Sequence, residues 1–175
     1  MKKSAKQKKF QISPETRLTV SYIAIATVLV GIAVALMLHG TPEQRLWQAV
    51  QQCNVRLAQD AITSGAPANS RSAPNAALPQ VPALFWAARN GCFEIVTLLL
   101  ANKAEVNATV TGPVYTGWTA LLIAAEKGYA PIVQSLLAAG ANVNAAGKDG
   151  KTALQLAEAG SQAEIVRMLK AAGAK

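Results

Sequence analysis

GWTALLIAAEKGYAPIVQSLLAAGANVN, residues 117–144, aligns with GKTALQLAEAGSQAEIVRMLKAAGAK, residues 150–175, at an offset of 33. PALFWAARNGCFEIVTLLLANKAEVN, residues 82–107, aligns with the first of these at an offset of 37, bringing Ala87/Ala124, Gly91/Gly128, Ile95/Ile132 and Asn107/Asn144 into register. A fourth copy, LWQAVQQCNVRLAQDAITSGAPAN, residues 46–69, follows at an offset of 38 and has lost several apolar positions. Such erosion suits a terminal repeat, one of whose faces has no neighbour to bury it.

Within the copy that starts at Gly117, Leu121, Ala124 and Ala125, then Ile132, Val133, Leu136 and Leu137, recur at three-to-four spacing on two segments broken by Gly128. Neither short helix can bury its face alone. The Ala pair lets adjacent helices approach closely, and the branched residues of the second segment fill the space between repeats. Pro131 suits a first helical turn, where its missing N–H would be unpaired anyway. Gly140 suits a left-handed helix end, and Asn142 and Asn144 suit the turn that follows.

These residues resemble the ankyrin-repeat family. The resemblance rests on T-A-L at 119–121 and 152–154, A-A-x-x-G at 87–91 and 124–128, and G-A-N-V-N at 140–144. It implies an all-α solenoid of helix-turn-helix repeats with finger-like loops, divided as 42–80, 81–116, 117–149 and 150–175. Where the family carries His after T-P-L, this chain has Phe85, Leu122 and Gln155. The bonds that this His makes to the neighbouring finger are therefore missing, and looser fingers are expected.

Two fingers are lengthened by four and five residues relative to the last: SRSAPNAALPQVP, residues 70–82, and ATVTGPVYTGW, residues 108–118. Insertions on one edge of a solenoid mark a binding edge or simply drift in loop length. The resemblance implies a partner held by finger tips and by the ends of first helices. Carried over by position, these are Tyr115, Thr116, Trp118, Glu126 and Lys127, with Arg89 and Asn90 one repeat earlier and Lys148, Asp149 and Lys151 one repeat later. Trp and Tyr beside Arg and Lys is the composition of interface hot spots. The alternative for Trp118 is that it folds back on its own finger. Trp47, Phe85 and Trp86, at the starts of first helices, read as core.

Before the repeats, LTVSYIAIATVLVGIAVALML, residues 18–38, is an uncharged run of 21 residues, long enough at ~1.5 Å per residue to cross a ~30 Å hydrocarbon core. It reads as one transmembrane helix. A cleavable signal peptide would have a shorter apolar region and a small-residue cleavage site, and a buried core helix would carry a polar stripe. The basic residues of 1–17 give that tail a charge of +5 and predict a cytoplasmic N-terminus, with residues 39–175 outside the cytoplasm. That pattern predicts a single-pass protein of a bacterial inner membrane with its repeats on the periplasmic face.

Of the formal charge of +8, only +3 falls on residues 18–175, and no basic cluster with interleaved aromatics stands there, which argues against nucleic-acid binding. The sole His39 abuts the apolar run, no His or Cys set has metal-ligand spacing, and no phosphate loop or nucleophile elbow is present. Neither an enzyme nor a cofactor, metal or small-molecule substrate is expected. Cys53 and Cys92 both fall at helix-helix turns, where they either form a disulfide across neighbouring repeats or stay as two buried thiols. The sequence therefore predicts a membrane-tethered module that binds one protein through its fingers and groove. A structural subunit using the apolar helix as an interface is the second reading.

Overall fold

The computed structural model describes residues 40–72 and 80–175. The repeats occupy one compact unit, Pro42–Lys175; Met1–Thr41 form a separate unit, of which only Gly40 and Thr41 are described. Among the described residues no helix is long and apolar enough to cross a membrane. The transmembrane reading falls on residues 18–38, outside the described residues.

The described residues form eight helices and no strand longer than an isolated bridge. They pair as α1 (Pro42–Gln52) with α2 (Val55–Thr63), α3 (Ala83–Asn90) with α4 (Phe93–Ala101), α5 (Ala120–Lys127) with α6 (Ala130–Ala138), and α7 (Ala153–Ala159) with α8 (Ala163–Ala171). The first helices of the pairs stack in chain order, and so do the second helices. Ala87, Ala88, Ala124, Ala125 and Ala157 are fully buried between the first helices, where a longer side chain would hold the repeats apart. Ile95, Leu99, Ile132, Leu136, Ile165 and Leu169 fill the second layer. In the eroded first copy, Leu46, Ala49, Val50, Ala58 and Ala61 keep that core going.

Each pair is broken at one recurring point, where a residue in the left-handed conformation ends the first helix and turns the chain back. Gly91 and Gly128 occupy it with φ of 74° and 78°, and Cys53 and Ser161 stand at the equivalent positions with φ of 50° and 55°. The next residue is the N-cap of the second helix, and in the last three pairs its side chain reaches the preceding repeat. A Cβ on Gly91 would meet the Tyr129 ring at 2.9 Å, and one on Gly128 would meet the Gln162 amide at 3.2 Å. Gln162 also donates its Nε2 hydrogen to the Glu126 carbonyl at 3.2 Å. Between the first two repeats the same contact is covalent: Cys53 and Cys92 form a disulfide across Cα atoms 5.2 Å apart. Equivalent positions of stacked elements lie nearer ~10 Å. The shorter span arises because these two are not equivalent, Cys53 standing at the left-handed position and Cys92 at the N-cap of the next repeat.

The fingers are tied together without the missing histidine. Gln80 and Thr111 exchange both backbone bonds, at 2.8 and 3.1 Å, and the Lys148 N–H donates to the Thr116 carbonyl at 2.9 Å. Three equivalent asparagines add a ladder. The Asn69 side-chain oxygen accepts from the Glu105 N–H at 2.6 Å, Asn107 from Asn142 at 2.8 Å, and Asn144 from Lys175 at 3.0 Å. The expected loosening is thus offset by backbone pairing and by amide caps, with Phe85 and Leu122 turned into the core instead. Gln155 takes another role, closing a reciprocal capping box with Thr152 at the start of α7.

Candidate partner-binding groove

The finger between α4 and α5, one of the two lengthened ones, supplies one wall of a groove. Its turn carries Tyr115 at φ 59°, a strained conformation for an aromatic residue, and the Thr116 hydroxyl is bonded to the Gly112 carbonyl. Held this way, the Tyr115 ring lies between two others, with centroids 5.6 Å from Phe85 and 5.0 Å from Trp118. Val114, just before it, is 61% exposed, a large apolar side chain at the fingertip with little to cover it.

On the other side of Tyr115 stands the end of α3. Arg89 follows Trp86 by three residues, so both side chains leave the same helix face. The guanidinium carbon lies 4.6 Å from the Trp86 ring centroid and 5.9 Å from that of Tyr115, within cation–π range of both. Val81, Phe85, Trp86, Arg89, Val114 and Tyr115 enclose a cavity of about 220 Å³. A broader and more open cleft of about 580 Å³ continues from Val114 and Tyr115 past Thr116 to Lys148 and Asp149.

Trp118 closes the floor of that cleft. It was expected at the binding surface, yet it is only 6% exposed. Its indole lies against Gly147 of the next finger, where a Cβ would come within 2.4 Å of the ring, and its Nε1 hydrogen is donated to Asp149 Oδ1 at 3.2 Å. Trp118 therefore folds onto the following finger as well as onto Tyr115 of its own. Only glycine leaves room for it there.

The residues singled out from sequence separate into two groups. Arg89, Tyr115, Thr116, Trp118, Lys148 and Asp149 come together along the groove. Asn90, Glu126, Lys127 and Lys151 do not line it. Asn90 donates its side-chain amide to the Val50 carbonyl at 3.2 Å and so ties the first two repeats. Glu126 and Lys127 face each other at 3.7 Å, a half-exposed pair of little energetic weight. Lys151 meets Asp149 only through its backbone N–H, at 3.4 Å. Val81, Phe85, Trp86, Pro113 and Val114 also line it and were not among the binding residues expected from sequence. The three-residue spacing of Trp86 and Arg89 was the signal for Trp86, and nothing in the sequence marked Val114.

Comparison with known proteins agrees with this architecture. A family model described as ankyrin repeats in three copies matches residues 46–146 and again 84–175. The chain belongs to the ankyrin-repeat family. Among curated relatives of the ankyrin stack, 40% identity over 89 residues links it to E3 ubiquitin-protein ligase XBAT33 of Arabidopsis thaliana, covering 50% of this chain and 17% of that protein. An identity of 38% over 92 residues links it to the B-cell lymphoma 3 protein homolog of Mus musculus, covering 53% of this chain and 20% of the relative. The chain thus spans a fifth or less of the length of these relatives.

The expected placement in a bacterial inner membrane with periplasmic repeats is corrected by these findings. The relatives that the chain matches come from a plant and a mouse, which does not fit a bacterial periplasmic protein. The error arose from treating an apolar run and a basic tail as sufficient to fix both compartment and source. Ankyrin repeats are interaction modules, and a protein partner is the kind of ligand the family indicates.

Proposed function

We propose that this ankyrin stack is a protein-binding module, without catalytic activity, that docks its partner on the finger side between the end of α3 and the fingers bearing Tyr115 and Lys148. Val114 carries the reading: an apolar side chain 61% exposed, placed where the two cavities meet, on a turn held by the strained Tyr115. Arg89, Tyr115, Thr116 and Lys148 surround it and supply the aromatic and cationic groups that dominate interface energetics. Trp118 acts beneath them as support. The groove's one carboxylate, Asp149, is held by the Trp118 indole, an arrangement that suits positioning better than acid–base chemistry.

A photo-crosslinking side chain at Val114, compared with one at Glu164 on the opposite, second-helix layer, tests this docking. The expected result is a discrete protein adduct from position 114 and none from 164. Equal adducts from both positions, or an adduct from 164 alone, would overturn it.

A further inference from the structure

Resting on that docking surface, the Arg89 site specifies the chemistry of the partner. The guanidinium carbon lies 4.6 Å from the Trp86 ring centroid, a cation–π contact that uses none of the N–H donors and leaves them for acceptors. No acceptor in the described chain takes them. Arg89 Nε is buried and without a hydrogen-bond partner, and no described carboxylate forms an ion pair with this residue. The acids of the following repeats make their contacts elsewhere: Asp149 with Trp118, Glu126 with Lys127, and Glu158 with Lys170 at 3.1 Å. Finger residues 73–79 contain no acidic side chain that could complete the pair. A half-buried cation beside two aromatic rings gains from an anion brought from outside.

The cavity beside it sets a second condition. Its walls of Val81, Phe85 and Val114 are apolar, and its volume of about 220 Å³ lies below the ~300 to 1,000 Å³ of small-molecule sites. That is room for one large side chain. In the adjoining cleft Lys148 is accompanied by Asp149, so among the described lining residues Arg89 is the cation without a carboxylate beside it.

We propose that this site takes an acidic–apolar segment of a partner protein, in which an Asp or Glu pairs with Arg89 while a neighbouring Leu, Ile, Met or Phe enters the cavity under Val114. The carboxylate pairs with the guanidinium, and the apolar residue covers Val114.

A displayed random peptide library selected on the full 175-residue chain tests this, with the selected peptides rebound to Arg89→Gln, Arg89→Lys and Val114→Glu variants whose unfolding transitions match the parent. The expected pool carries Asp or Glu within two residues of a large apolar residue. Its binding falls about tenfold or more in Arg89→Gln, less in Arg89→Lys, and is lost in Val114→Glu. A neutral or basic pool that is sensitive to Val114→Glu alone overturns the acidic partner and leaves the docking surface standing. A pool indifferent to all three variants, or no enrichment, overturns both.

Discussion

Cys53 and Cys92 join the first two repeats covalently, with the left-handed turn residue of one bonded to the N-cap of the next. The first repeat has the thinnest core of the stack and a neighbouring repeat on one side alone, so a cross-link closing 39 residues of separation acts where it is most needed. Reduction, or Cys53→Ser with Cys92→Ser, is expected to cost about 2 to 4 kcal/mol of stability. Denaturant unfolding with and without reductant measures it, and equal midpoints for the two forms would show that the bridge contributes nothing.

Gly91 and Gly140 both have positive φ, 74° and 84°, but only Gly91 lies under a neighbour's side chain. Gly140→Ala should cost about 1 kcal/mol from the left-handed backbone alone. Gly91→Ala adds a clash with the Tyr129 ring and should cost about 1 to 3 kcal/mol more. Thermal unfolding of the two variants side by side checks the order.

Gly147→Ala should act at a distance. Its new methyl meets the Trp118 indole, which must leave its seat and release Asp149. We expect a loss of about 1 to 3 kcal/mol together with a red-shifted tryptophan emission, read against a Trp118→Phe background to isolate that ring. An unchanged spectrum would show that the finger, and not the indole, gives way.

Lys103 adopts φ 63° at the position where the other repeats have Gly65, Gly140 and Gly173. Lys103→Gly relieves a strain of ~1 to 2 kcal/mol at an entropic cost of ~0.5 to 1 kcal/mol, so a gain of up to about 1 kcal/mol is expected. Chemical denaturation of this exposed variant measures it directly. A loss of stability would mean that the Lys stem packs usefully on the helix end.

Thr119 and Thr152 occupy equivalent N-cap positions with opposite consequences. The Thr152 hydroxyl accepts from the Gln155 N–H in a reciprocal capping box, whereas the Thr119 hydroxyl is buried without a partner. Thr152→Val should cost about 1 kcal/mol and Thr119→Val close to nothing, as judged from equilibrium unfolding.

Much of the architecture was legible in the chain because repetition amplifies weak local signals. The Ala pairs, the turn glycines and the Ile and Leu of the second helices recur at matching offsets, and each lands in the layer that its spacing implied. Cys53, Lys103 and Ser161 show the limit of that reading. Nothing about a Cys, Lys or Ser side chain announces a left-handed backbone, and only alignment to the neighbouring repeats reveals it.

The groove was half legible. Arg89, Tyr115 and Lys148 follow from position in the repeat, but the fate of Trp118 depended on whether the next finger would offer a seat. Gly147, twenty-nine residues away, provides it, and its backbone is brought there by the Lys148 bond to Thr116.

The sequence by itself determined the number of repeats, their helix pairs and their shared core, because periodic burial and turn chemistry are local properties written in each copy. Tertiary structure alone decided which side chains remain free. Stacking spends Trp118, Asn90 and Asp149 on contacts between neighbouring repeats and leaves Arg89 Nε unpaired on its aromatic shelf beside an uncovered Val114. That difference arises because pairing depends on distances across repeats, which the curvature of the assembled stack sets and no single copy encodes.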